Sequence, residues 1–205
     1  LLVCSEKLSG ITDYTDRSTC VLFGDGAGAM LIGKEGDTEG VDWRNRVAKL
    51  SHLGAEGNLG HTIVSRTVYH SHPFQTTPDD RSGRYGEDEN LFLRMEGQEV
   101  YRFAVRVLVD AVRQVLDQND LSLDDIAWIV PHQANDRILE ASARRLGIES
   151  DRMISYIADI GNTSSATIPL CLDRMITEGR LQRGDRVILC GFGGGLTYGA
   201  ALLEY

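Results

Sequence analysis

Trp128-Ile129-Val130-Pro131-His132-Gln133-Ala134-Asn135 is an apolar run of strand length that ends in a cluster of polar side chains, and a helical pattern follows it. Two other stretches behave alike. Gly161-Asn162-Thr163-Ser164-Ser165 is a polar corner ahead of a second helical pattern, and Gly193-Gly194-Gly195 is a bend between two apolar runs. Polar or glycine-rich corners at strand ends are where an α/β protein builds its pockets.

Working outward from His132, the spacing of Ile138, Leu139, Ala141, Ala143 and Leu146 predicts a helix over Ala134–Leu146, with Gly147 at the left-handed cap position. A second helix is predicted over Ser164–Glu178, ended by Gly179 and carrying Pro169 in its first turns, where proline costs least. Strands are expected over Ile126–Val130, Met153–Ile157, Arg186–Cys190 and Leu196–Leu203. Upstream, Val100, Phe103, Ala104, Val107, Leu108, Ala111, Val115 and Leu116 mark a long helix over Glu96–Asn119 with one buried face. Ser122-Leu123-Asp124-Asp125 has the form of a capped short turn.

The first 33 residues are expected to run strand (Leu1–Ser5), polar loop (Asp13–Arg17), strand (Ser18–Phe23), turn (Gly24–Gly28) and strand (Ala29–Ile32). The three glycines of that turn do not make a dinucleotide fingerprint, because a strand and not a helix follows them. Residues 34–93 are broken repeatedly by glycine and proline; one strand is expected within Val41–Leu53 and another within His61–His70, in a long-looped or hairpin segment with its tip over Thr76–Asn90. Leu1-Leu2-Val3-Cys4 has mid-sheet character and no initiator Met, so residue 1 is expected to be internal to a longer protein. Gly28-Ala29-Met30-Leu31-Ile32 echoes Gly199-Ala200-Ala201-Leu202-Leu203, each after an apolar strand and a glycine turn, which suggests a duplicated fold.

The 205 residues are 42% hydrophobic and 25% charged, enough for a substantial core, and no run of about 18 apolar residues is present. A formal charge of -9 argues against a nucleic-acid binder. Arg102, Arg106, Arg113, Arg137, Arg144 and Arg145 nevertheless fall on two expected helices, so a local basic patch is compatible with an acidic whole. Cys4, Cys20, Cys171 and Cys190 lack metal-binding spacing and are expected to be reduced thiols of a cytoplasmic protein. His70-Ser71-His72 lacks a further ligand pair, so no metal is expected.

Singly, each corner has a plain structural explanation. His132 is explained as a hydrogen-bonded strand-end histidine, Asn162 as a helix cap, and the glycine bend as a β-turn. Taken in order, however, Pro131-His132-Gln133-Ala134-Asn135, Gly161-Asn162-Thr163-Ser164-Ser165-Ala166 and Gly191-Phe192-Gly193-Gly194-Gly195 resemble the C-terminal half of β-ketoacyl-acyl carrier protein synthase III, a thiolase-fold condensing enzyme family. Asp13-Tyr14-Thr15-Asp16-Arg17 and Phe23-Gly24-Asp25-Gly26-Ala27-Gly28-Ala29 are similar to that family too.

The resemblance implies an α/β thiolase-like layered fold with duplicated βαβαβ halves, stacked α/β/α/β/α. Residues 1–36 would be the tail of the first half and 37–205 the second, with a loop or hairpin insertion at about 54–90. It implies decarboxylative condensation of an acyl-CoA primer with malonyl-acyl carrier protein at a Cys-His-Asn site. His132 and Asn162 would be the catalytic donors and Gly194 part of the oxyanion hole. Arg17, Asn135 and Phe192 would contact coenzyme A, which is a substrate thioester and not a resident cofactor. Gln133, Arg137 and Arg102 would meet acyl carrier protein, and the enzyme would be a homodimer with neither nucleic-acid nor membrane partners. None of the four cysteines has the family's nucleophile context, so the nucleophile is expected before Leu1. A related thiolase-fold acyltransferase or ketide synthase, or a non-catalytic carrier-binding subunit, are the rival expectations.

Overall fold

The computed structural model describes residues 1–31, 51–65 and 92–205. Its centre is a sheet of four strands in the order β3-β8-β7-β6, where β3 is Ser51–Ala55, β6 Trp128–Pro131, β7 Arg186–Gly193 and β8 Thr197–Glu204. β6 and β7 run parallel, from Trp128 opposite Val187 to Pro131 opposite Cys190, while β8 is antiparallel to both β7 and β3.

Alternate residues of the buried strands serve opposite faces, as the two-residue period of a strand requires. Ile129, Ile188 and Cys190 face α1 (Gly97–Gln118) and α2 (Asp136–Leu146), whereas Val130, Val187 and Leu189 pack with Cys171 and Met175 of α4 (Thr167–Thr177). Helices therefore cover both faces, which is what a near-continuous apolar strand needs. On the far side of α4 lies an antiparallel pair of β1 (Leu2–Lys7) and β2 (Asp25–Met30). The order is helix, sheet, helix, sheet, in agreement with the expected layering.

α1 and α2 form where the apolar spacing places them. Gly147 ends α2 at φ 76°, and Asn135 begins it by accepting a hydrogen bond from the Arg137 backbone N–H at 3.0 Å. Ser122 and Asp125 make the expected reciprocal capping box. The helix expected from Ser164 opens as a 3-10 turn, Ser164–Ala166, before α4 proper.

Three expectations fail. Ser18–Phe23 is a series of turns with one isolated bridge, Phe23 to Asn162, and not a strand. Gly24–Gly28 is not a turn either, since Asp25–Met30 is strand β2. Its glycines serve close approach: a Cβ on Gly26 would lie 2.8 Å from Thr163 Cγ2, and one on Gly28 2.8 Å from Pro169 Cβ. The echo between the two chain regions accordingly survives only in the outgoing strands, β2 and β8. Met153 contributes a single bridge to Ile129, after which the chain turns into a short helix α3 (Ile157–Ile160).

Part of the segment expected to be looped is regular, and the strand expected within Val41–Leu53 is met, among the described residues, at 51–53. Ser51–Ala55 is the edge strand β3, Gly57–Thr62 a 3-10 turn, and β4 (Ile63–Val64) pairs with β5 (Arg94–Met95). The strand expected over His61–His70 is thus confined, among the described residues, to β4. The Thr76–Asn90 tip and His70-Ser71-His72 lie outside the described residues. No helix among the described residues is long and apolar enough to cross a membrane.

Candidate active site

At the carboxyl ends of β6 and β7 a cavity of about 810 Å³ opens, lined by His132, Asn135, Asn162, Phe192 and Gly194 together with Arg102 and Arg137. Elements far apart in sequence deliver these groups to one place. The parallel ladder continues one residue past β6, because His132 N–H donates to Cys190 O at 2.8 Å; this carries the imidazole to the rim. Phe192 meets the ring edge-on, with centroids 5.6 Å apart.

A single turn of chain holds both polar side chains. Asn162 Oδ1 accepts from Ser164 N–H at 3.0 Å, which fixes the amide orientation and leaves its NH₂ end as the donor. His132 Nδ1 lies 2.8 Å from Thr167 Oγ1, and that hydroxyl lies 2.8 Å from the Ser164 carbonyl. Asn162 is also clamped through its backbone: its N–H donates to Leu22 O and its carbonyl accepts from Gly24 N–H at 2.9 Å. Gly161 before it has φ 63°, a conformation glycine adopts without steric cost. The turns of Ser18–Phe23 thus have a task that a strand reading hides, since their end grips the asparagine loop.

Burial pushes the His132 imidazole down to about 4, with the Ser164 backbone and the Glu6 carboxylate opposing that shift. The ring is therefore neutral at physiological pH. Glu6 reaches this corner from β1, where its Oε1 accepts from both the hydroxyl and the N–H of Ser165.

Not every expected residue joins the site. Gln133 was expected to face a carrier protein, but it is fully buried. Its Nε2 donates to Pro131 O at 2.8 Å and Ile154 O at 3.1 Å, and its Oε1 accepts from Tyr156 N–H at 2.8 Å, so it braces β6 against the 154–156 segment. Arg17 is exposed and does not line the cavity, although its neighbour Ser18 does. Arg137 is exposed at its mouth, and Arg102 there is paired with Glu99 at 2.6 Å. None of the four cysteines lines the cavity; burial pushes Cys171 and Cys190 up to about 12, so both are thiols and not thiolates. No group of three or more potential metal ligands occurs among the described residues.

Two groups escaped the sequence. Thr167 is fully buried in the first turn of α4, and a hydroxyl at a core position of that helix was the available signal. The apolar wall that Leu8, Leu22 and Met95 add to the cavity comes from segments whose pairing no periodicity reveals.

This fold, with a histidine and an asparagine at the wall of one cavity, is that of a thiolase-like α/β protein. Residues 116–205 match the family model for the C-terminal domain of 3-oxoacyl-[acyl-carrier-protein] synthase III, and residues 1–49 match the companion model of that name. The chain belongs to the 3-oxoacyl-[acyl-carrier-protein] synthase III family. It is 43% identical over its whole length to the β-ketoacyl-[acyl-carrier-protein] synthase III of Oceanobacillus iheyensis, spanning 56% of that relative. The crystal structure of the Aquifex aeolicus 3-oxoacyl-[acyl-carrier-protein] synthase III superposes with a TM-score of 0.81 at 35% identity, covering 99% of this chain and 56% of that one. A priming β-ketosynthase from a polyketide pathway superposes with a TM-score of 0.75 at 30% identity over 98% of this chain and 55% of its own. The chain thus spans little more than half the length of the proteins it matches.

Proposed function

We propose that the protein carrying this chain joins an acyl-CoA primer to malonyl-acyl carrier protein with loss of carbon dioxide, the step that begins fatty-acid synthesis. The observation that carries this reading is the shared anchorage of His132 and Asn162 on the Ser164–Thr167 turn, at the wall of one cavity. When the malonyl carbon–carboxylate bond breaks, its electron pair moves onto the thioester carbonyl oxygen. A neutral imidazole N–H and a carboxamide NH₂, both fixed before the reaction, stabilise that oxygen more in the transition state than in the ground state. The enolate carbon then attacks the acyl thioester carbon, and the Gly194 amide would hold the second oxyanion as the enzyme thiolate leaves. The nucleophilic cysteine belongs to a segment other than this chain's four cysteines.

Asn135 and Phe192 would hold the pantetheine arm, and Arg17 the nucleotide end of coenzyme A. Arg137 and Arg102 would attract the acidic carrier protein to the cavity mouth. On the same reading residues 1–36 close the first repeat of the fold and 37–205 form the second, in a cytoplasmic homodimer. The likeness to a priming polyketide synthase favours a second reading of the same chemistry, in which the ketide and not a fatty acid is begun. Intact mass after incubation with a series of acyl-CoAs tests both. A stoichiometric acyl adduct that malonyl-acyl carrier protein discharges as a β-ketoacyl product is expected, and the preferred primer separates the two readings. No adduct with any primer contradicts both.

A further inference from the structure

We infer that the Thr167 hydroxyl decides which ring nitrogen of His132 carries the proton, and so makes the imidazole a hydrogen-bond donor toward the cavity. This rests on the enolate-stabilising role given above to His132, and it adds a positioning residue that neither the sequence motifs nor the family likeness singles out.

A neutral imidazole has one N–H and one lone pair, so whatever faces Nδ1 fixes the character of Nε2. Thr167 Oγ1 lies 2.8 Å from Nδ1 and 2.8 Å from the Ser164 carbonyl, and it has a single proton for the two acceptors. The Ser164 carbonyl already accepts the Thr167 backbone N–H, so it remains satisfied when the hydroxyl turns away. Among the described residues no other donor lies within hydrogen-bond distance of Nδ1, and the Ser164 backbone favours the protonated ring, which is the effect of an acceptor. Turned to the ring, the hydroxyl donates to Nδ1 and leaves Nε2–H for the cavity. Thr167 is fully buried, so water does not compete for this bond.

Valine has the shape of threonine without its proton. In Thr167→Val no hydroxyl donates to Nδ1, so nothing holds the proton on Nε2 and it moves to Nδ1; Nε2 then presents a lone pair, which repels an enolate oxygen. Thr167→Ser keeps the hydroxyl and keeps the donor tautomer. The test uses the intact protein labelled with 15N-histidine, and reads the protonated ring nitrogen of His132 by NMR alongside malonyl decarboxylation.

The expected result is Nε2–H in the parent protein and in Thr167→Ser, Nδ1–H in Thr167→Val, and a decarboxylation rate lowered on the order of 100-fold in the valine variant alone. Acyl transfer from the primer, in which the Nε2–H donor has no part, is expected to stay within a few-fold. Nε2–H in the valine variant, or Nδ1–H in the parent, overturns the inference. A moved proton with unchanged decarboxylation upholds the control of the tautomer and contradicts the role of His132 instead.

Discussion

Replacing Gln133 with leucine separates a structural brace from a carrier-binding side chain. The substitution preserves volume but removes the carboxamide, which donates to Pro131 O and Ile154 O and accepts from Tyr156 N–H at the edge of the core. Two carbonyls and one amide lose a partner where water cannot replace it, since Gln133 has no exposed surface. A buried group left unpaired costs about 1–3 kcal/mol, and the second lone pair of a carbonyl softens its share, so a loss of about 3–5 kcal/mol is expected. Denaturant unfolding of the intact protein measures it. The Pro131–His132 junction is also released, so decarboxylation should fall together with stability, while affinity for the carrier protein among still-folded molecules should not change. A loss below about 1 kcal/mol, accompanied by weaker carrier binding, would refute the brace and return Gln133 to the surface role its position in the motif suggested.

Gly26→Ala should destabilise by about 1–3 kcal/mol and slow decarboxylation, because the new Cβ would press within 2.8 Å of Thr163, next to Asn162; unfolding and turnover measured on one preparation check the pair of effects. Folding holds the His132 pKa at about 4 against an ordinary 6.5, so the unfolded chain binds the extra proton first. Stability from this site is therefore full above about 6.5 and falls as pH drops toward about 4, a dependence that His132→Phe should remove in unfolding measured across that window. Arg137→Glu should slow association with the carrier protein more than Arg102→Glu, because Arg102 is already paired with Glu99; the difference should shrink as salt is raised.

What the sequence reveals and what it hides follow from the range of the forces involved. α1, α2 and α4 are legible because a buried helix face repeats every three to four residues, and the ends of α2 because Asn135 and Gly147 cap it with local backbone groups. The corners at His132 and at Gly193-Gly194-Gly195 are legible because strand-end polar or glycine residues interrupt apolar runs. The glycines of β2 mislead for a physical reason: glycine marks both turns and close packing, and only the approach of Thr163 and Pro169 from more than 130 positions away tells which applies. Gln133 misleads likewise, since an amide next to a strand-end histidine looks exposed until the 154–156 segment is seen to surround it. Ser18–Phe23 has strand composition, yet its ladder partner is the single residue Asn162, a pairing that no local pattern encodes.

The most direct measurement takes His132→Ala and Asn162→Ala in the intact protein and follows the two half-reactions apart. Release of labelled carbon dioxide from malonyl-acyl carrier protein should fall about 10²–10³-fold in each, the cost of one missing oxyanion donor, while loading of the acyl group from its coenzyme A ester proceeds near the parent rate. Equal loss of both half-reactions, or carbon dioxide release untouched by either change, would contradict an imidazole and a carboxamide acting together on one enolate oxygen.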